Sequence, residues 1–253
     1  MGTREVGRIT YVGHATVLLD MGGVRLLTDP VLRTRVGHLR RQGPAPDVPR
    51  DLNAVLISHL HLDHLDLPSL RMLEEDARIV APRGAGGFLR RHGHPDVTEL
   101  APGESTSVGA ARVSATPALH DGRRRPGGGP VAEPVGFRIE AGGRRVYFAG
   151  DTDLFDGMAE LGGDLDLALL PVWGWGPTLG PGHLDPAGAS RAAALLKPRL
   201  AVSIHWGCLF PLGMAGRRPD LLRDPPREFA AQVAKVAPGV DVRVIEPEGS
   251  LEL

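Results

Sequence analysis

The sequence predicts an α/β fold in which two mixed β-sheets pack face to face with helices on the outside. Apolar runs of strand length return along the whole chain, separated by turns rich in glycine and proline (34 Gly and 23 Pro in 253 residues). These runs fall into two series. Each opens with antiparallel strands and passes into strand–helix alternation, the pattern of layered sheets joined by helical crossovers.

The first series starts at Arg8, where "RITYVGHATVLLDMGGVRLLTD" gives two β-rich runs split at Met21-Gly22-Gly23. Glycines free to take positive φ make this a hairpin. The proline-rich, basic segment from Pro30 to Arg50 reads as an excursion over the surface. "LNAVLIS" is a buried strand, and "LPSLRMLEED" has helical spacing with Pro68 near its start, where a missing N–H costs little. A short strand (Arg78 to Ala81), a helix ending near Gly93 and a strand from Val97 to Leu100 continue the alternation.

The second series opens with "ARVSATPA" ahead of His120 and a hairpin, "PVGFRIEAGGRRVYFAG", ending at Asp151. "DLALLPV" is a buried strand, "DPAGASRAAALLK" a helix, and "RLAVSIH" a strand ending at His205. "DPPREFAAQVAKV" is helical before a last strand, "DVRVIEP". The glycine loop from Arg123 to Pro130 is too short for a linker, so residues 1–253 read as one domain, within the size that a single core supports.

A net charge of -1 and 42% hydrophobic content exclude a disordered chain and give no general attraction to nucleic acid or anionic membranes. The expected partner is a small molecule; self-association is left open. "MGTREVGRIT" carries charges where a signal peptide needs an apolar stretch, and no apolar run approaches the roughly 18 residues of a membrane helix. Cys208 is the only cysteine, which points to the reducing cytoplasm and excludes thiolate metal sites beyond one ligand.

Chemistry concentrates in "SHLHLDHLD", Ser58 to Asp66. His59 and His61 alternate at a strand end, so extended backbone points both to one side. Asp63 and His64 can reach the same space from the start of the helix. Chance would produce H-x-H-x-D-H in a chain of this composition roughly once in a thousand, which favours metal binding over a helix terminus capped by Asp63. Three more ligand-type residues, His120, Asp151 and His205, sit just beyond apolar strands, where ligand crevices open in α/β sheets. Imidazole and carboxylate suit zinc, and equally iron or manganese.

The order His59, His61, Asp63, His64, then His120, then Asp151 in "GDT", then His205 in "IHWG", resembles the metallo-β-lactamase superfamily. It is most similar to the branch of N-acyl-phosphatidylethanolamine-hydrolysing phospholipase D and the ascorbate-6-phosphate lactonases, through "YVGHATVLL", "LLTDPV", "FAGDT", "HLDP" and "SIHWG". The resemblance implies a four-layer αβ/βα sandwich with two divalent ions, zinc first, and manganese or iron as alternatives. It implies that His59, His61 and His120 hold one ion, that Asp63, His64 and His205 hold the other, and that Asp151 and a water bridge them. Asp63 or Asp151 would take up the water's proton.

The resemblance also places His183 beside the active site, to hydrogen-bond the substrate or protonate the leaving group. His14 matches the branch but is not in its ligand set; a structural role or one behind the ligands is expected. Trp173 and Trp175, on a glycine-rich loop, are candidates for an apolar substrate wall, and Arg123, Arg124 and Arg125 for contacts to an anionic substrate. Cys208 is expected to be a buried small hydrophobe, and His38, His92 and His94 to lie at the surface.

The activity implied is hydrolysis with a metal-bridging hydroxide, first of a phosphodiester, with a lactone or carboxylic ester as the alternative. Redox di-iron chemistry is disfavoured, because flavodiiron proteins of this fold carry glutamate at the position of His61 and add a flavin domain. A non-catalytic binding module is disfavoured because all seven ligand positions are filled.

Overall fold

The computed structural model describes residues 7–74, 77–125 and 127–253. The N-terminal residues 1–6, the last two residues of the helix expected over "LPSLRMLEED" and Pro126 of the glycine loop lie outside the described residues. In chain order the strands of the first half are β1 (Arg8–Gly13), β2 (Thr16–Met21), β3 (Val24–Thr28), β4 (Arg35–Val36), β5 (Leu39–Arg41) and β6 (Ala54–Leu56). Helix α1 (Leu67–Leu70), β7 (Arg78–Pro82), α2 (Gly86–Arg91), β8 (Val97–Leu100), β9 (Ser105–Val108) and β10 (Ala111–Pro117) follow. A small hairpin, β11 (Arg123–Arg125) and β12 (Gly128–Val131), precedes β13 (Val135–Ala141), β14 (Arg144–Phe148) and β15 (Leu167–Pro171). The chain continues with α3 (Pro186–Leu196), β16 (Leu200–Ile204), β17 (Leu209–Pro211), α4 (Asp220–Arg223), α5 (Pro225–Val236), β18 (Asp241–Arg243) and β19 (Gly249–Glu252).

Two seven-stranded sheets result, ordered β19-β1-β2-β3-β6-β7-β8 and β18-β16-β15-β14-β13-β10-β9. Each is antiparallel on one side and parallel on the other, the change falling after β3 in the first sheet and after β14 in the second. The period of two in the apolar runs explains the layering. Leu26, Ala54, Leu56 and Val80 join Val113, Phe137 and Ile139 in the core shared by the sheets. Their sequence neighbours Leu27, Val55, Ile57 and Ile79 pack on Leu70, Phe88 and Leu89 of α1 and α2. Ala189, Ala192, Phe229 and Val233 of α3 and α5 cover the second sheet.

Several expectations are corrected. The run "RITYVGHATVLLD" is two strands, because the chain turns at His14, whose φ of 59° is left-handed. The segment from Pro30 to Arg50 is only in part a surface excursion: residues 42–45 are exposed, but β4 and β5 pair with β17 in a three-stranded sheet, and Val31, Leu32, Val36 and Leu39 are buried. Its prolines and arginines masked that apolar pattern. Helix α1 ends after one turn, since Met72 and Leu73 bond to carbonyls only three residues back. The polar edge strand β9 and the C-terminal β19, which pairs with β1, were not anticipated.

Candidate metal centre

Every element of the site ends at one rim of the sandwich. The loop between β6 and α1 carries His59, His61, Asp63 and His64; His120 follows β10, Asp151 follows β14 and His205 follows β16. Asp63 and His64 lie in a turn closed by His64 N–H and Leu65 N–H on the His61 carbonyl, at 3.1 and 2.8 Å, not at the helix start. The helix cap is instead Asp66, which accepts from Ser69 N–H and is held bidentately by Arg33 at 2.7 and 2.8 Å. Asp63 is thereby free to face the rim.

The side chains form two adjoining groups. His59 Nε2 and His120 Nε2 each stand 3.0 Å from His61 Nδ1. In the second group His64 Nε2 is 3.0 Å from His205 Nε2, and Asp63 Oδ2 is 3.9 Å from both. Asp151 lies between the groups, with its carboxylate oxygens 3.2 Å from His64 Nε2, 3.3 Å from His205 Nε2 and 3.4 Å from His183 Nε2. The seven expected ligands are therefore brought together, and His183 beside them.

What lies behind these residues fixes which ring nitrogen faces inward. His205 Nδ1 donates to the Trp173 carbonyl at 2.6 Å, His120 Nδ1 to the Gly182 carbonyl at 2.8 Å and His64 Nδ1 to Asp29 Oδ2 at 2.7 Å. Ser58 Oγ donates to Asp29 Oδ2 and accepts from His59 Nδ1 at 3.0 Å. Those partners assign the tautomers, so the Nε2 atoms of His59 and His120 turn to His61 Nδ1 and those of His64 and His205 turn to each other. Asp151 Oδ1 is buried there with no hydrogen-bond partner among the described residues. Lone pairs converging on a buried carboxylate are stable together only around cations, so this donor set fits metal ions.

The electrostatics agree. Burial pushes His59, His61 and His205 down, and takes His120 to about 4. Burial also opposes charge on His64, yet the Asp151 and Asp29 carboxylates push it well up. The spot therefore draws positive charge, which a proton or a metal can supply. Against their own burial, Asp151 is held well below the carboxylate range by His205 and His64, and Asp63 by His14 and His64. For His183, burial is outweighed by Asp151, which lifts it to about 9.

Strained backbone marks the same rim. His14, Asp29 and His205 take φ of 59°, 34° and 63°, a region costly for non-glycine residues and concentrated at functional sites. Gly150 takes φ +61°, and a Cβ there would come within 2.6 Å of Ser58 Cβ, so only glycine lets the chain turn into Asp151 at this point.

A cleft of about 260 Å³ opens on the centre, lined by His61, Asp63, Asp151 and His183 and by Val36, His38, Leu39, Leu62, Arg124, Arg125 and Trp175. Trp173 does not line it; its ring packs on the core and its indole N–H bonds the Gly176 carbonyl. Arg123 points elsewhere and pairs with Asp121 at 3.4 Å. Arg124 is 8% exposed and donates through Nη1 to the carbonyls of Leu60 (2.8 Å) and Leu65 (3.1 Å), with its guanidinium over the Phe88 ring. It clamps the two ends of the loop that carries His61, Asp63 and His64. His38 is exposed as expected but belongs to the cleft; His92 and His94 are half-buried beside α2. Asp29 was missed as a functional residue, although its place after β3 matches that of Asp151 after β14.

Residues 24–206 match the Beta-lactamase superfamily domain, and the chain belongs to that superfamily. It is a metal-dependent hydrolase of the metallo-β-lactamase type. The UPF0173 metal-dependent hydrolase of Opitutus terrae is 36% identical over 97% of this chain and 100% of that protein. N-acyl-phosphatidylethanolamine-hydrolyzing phospholipase D 1 of Caenorhabditis elegans is 32% identical over 81% of this chain and 64% of that protein. Among solved structures, Igni18, a metallo hydrolase from Ignicoccus hospitalis, superposes with a TM-score of 0.75 at 25% identity, covering 98% of both chains. Among the described residues no helix is long and apolar enough to cross a membrane.

Proposed function

We propose that the protein is a phosphodiesterase that works with two divalent ions, zinc first among the candidates, on a small, anionic phosphoester. The observation carrying this reading is the pair of adjoining imidazole groups beside the buried Asp151 carboxylate, whose Oδ1 has no hydrogen-bond partner among the described residues. His59, His61 and His120 would hold one ion, Asp63, His64 and His205 the other, with Asp151 shared. Such ions supply Lewis acidity and a water of pKa about 7.

The chain's own groups supply the rest. Asp63 and Asp151 are both carboxylates at neutral pH, and one of them, Asp63 or Asp151, would accept the single proton that hydrolysis releases from water. His183, with Nδ1 on the Gly180 carbonyl at 3.1 Å, presents Nε2–H beside Asp151 and protonates the leaving oxygen. Trp175, Arg124 and Arg125 line the space left for substrate. We read residues 1–253 as one domain acting in the cytoplasm.

Phosphorus is preferred because a phospholipase D is among the relatives. Hydrolysis of a lactone or carboxylic ester is the second reading, since attack on carbonyl carbon uses the same groups. Turnover of bis(p-nitrophenyl) phosphate and of a simple lactone, each with and without chelator, tests the choice. Chelator-sensitive turnover of the phosphodiester is expected; turnover of the lactone alone would reverse the order.

A further inference from the structure

The cleft has a wall that bond hydrolysis does not require. The turn between β4 and β5 brings Val36, His38 and Leu39 beside Leu62 and Trp175, across from the metal-facing side chains. His38 meets Trp175 edge to face with ring centroids 4.8 Å apart, which holds the indole in place. At about 260 Å³ the cleft is below the roughly 300–1,000 Å³ of sites for drug-sized ligands. There is room for one ring or a short branched chain, not for two acyl chains.

Charge on this wall is uneven. Of three consecutive arginines, Arg123 is paired with Asp121 and Arg124 is occupied by two loop carbonyls. Arg125 lines the cleft, is exposed, and has no hydrogen-bond or ion-pair partner among the described residues. A guanidinium beside an apolar wall meets carboxylate, sulfonate or phosphate oxygens with two parallel N–H donors.

We infer that the substrate is a compact molecule with an apolar, ring-sized body seated against Trp175, Val36, Leu39 and Leu62 and a negatively charged substituent set against Arg125. The inference rests on the hydrolase reading for the bond that is cut, but it concerns how the molecule is held.

Binding to the metal-loaded protein, measured by calorimetry without turnover, tests it with three probes: benzenesulfonate, its neutral analogue methyl phenyl sulfone, and methanesulfonate. Benzenesulfonate should bind at least about tenfold more tightly than either of the others, one lacking the charge and one the ring. Arg125→Met should bring benzenesulfonate down to the level of the sulfone and leave the sulfone unchanged, whereas Trp175→Ala should weaken both aromatic probes. Equal binding of charged and neutral probes, or an Arg125→Met protein that binds benzenesulfonate as before, overturns the inference. So does faster hydrolysis of N-acyl-phosphatidylethanolamine in vesicles than of bis(p-nitrophenyl) phosphate. If the probes bind as expected and neither phosphodiester nor lactone is cut, the phosphodiesterase and lactonase readings fail and this one stands.

Discussion

His14 Nε2 lies 2.9 Å from Asp63 Oδ2, tying the turn between β1 and β2 to a carboxylate 49 residues further on. The same residue accepts from His205 N–H through its carbonyl at 2.7 Å and lays its ring on that of His205, centroids 3.8 Å apart. One side chain thus orients two of the groups proposed to hold metal. His14→Ala is expected to lower metal affinity about 10–100-fold, the scale on which such supporting contacts act, with the fold kept. Competition with a chromophoric chelator measures this, and an unchanged affinity would show that Asp63 and His205 need no such support.

Asp151 stands within 3.4 Å of His64, His205 and His183. Asp151→Ala should bring phosphodiester turnover below about one hundredth of the parent rate, the loss seen when one electrostatic element of a site is removed. Elemental analysis should show reduced metal content, and circular dichroism an intact fold. Unimpaired turnover would refute the shared-ligand role.

The Arg124 clamp makes a stability prediction. Arg124→Met removes the donors to the Leu60 and Leu65 carbonyls and leaves both acceptors inside. A loss of about 3–6 kcal/mol is expected from two such bonds to a charged group. Urea denaturation of the metal-free protein reads this; Arg124→Lys should restore part of it. A midpoint unchanged in Arg124→Met would mean that the loop closes without the clamp.

Metal-free protein should be most stable near pH 6.5 and decline on both sides. His120, lowered to about 4 mainly by burial, contributes stability that is present above the unfolded value and lost as pH falls toward 4. His183, raised to about 9 by Asp151 in spite of burial, contributes stability that is present below the unfolded value and lost as pH rises through 9. Thermal midpoints between pH 4 and 9 check both limbs. A midpoint rising steadily from pH 6.5 to 9 would contradict the second.

Cys208 is 1% exposed, and burial pushes its thiol up to about 11. At pH 8 only about a thousandth would be thiolate, so iodoacetamide should leave the folded protein unlabelled for hours and modify it quickly in denaturant. Fast labelling of the native form would mean that the segment around β17 opens readily.

That the seven candidate ligands would gather in one place was legible because their spacing and strand-end positions are local features: "SHLHLDHLD" and the residues after three apolar runs need no knowledge of tertiary contacts. The layered sheets were legible for the same reason, since apolar runs of strand length are visible without tertiary contacts, whereas which of Leu26 and Leu27 faces the other sheet is not. What escaped depends on contacts distant in sequence. Asp29 supports His59 through Ser58 and His64 across 35 residues, and its place after β3 was the one local sign of this. The wall made by Val36 and Leu39 was hidden among prolines and arginines, and three arginines identical in sequence context have three different surroundings. Strand β19 was lost because its four residues, "GSLE", acquire strand character only by pairing with β1.

That last pairing also bears on how the chain is made. Glu252 sits opposite Arg8 and Gly249 opposite Tyr11, so the sheet that leads into the loop from Ser58 to Asp66 joins β1 to β19, the first and last strands among the described residues. During synthesis the outer side of β1 has to wait, unpaired, until some 240 further residues have emerged. A long wait of this kind slows folding and exposes an open strand edge to other chains.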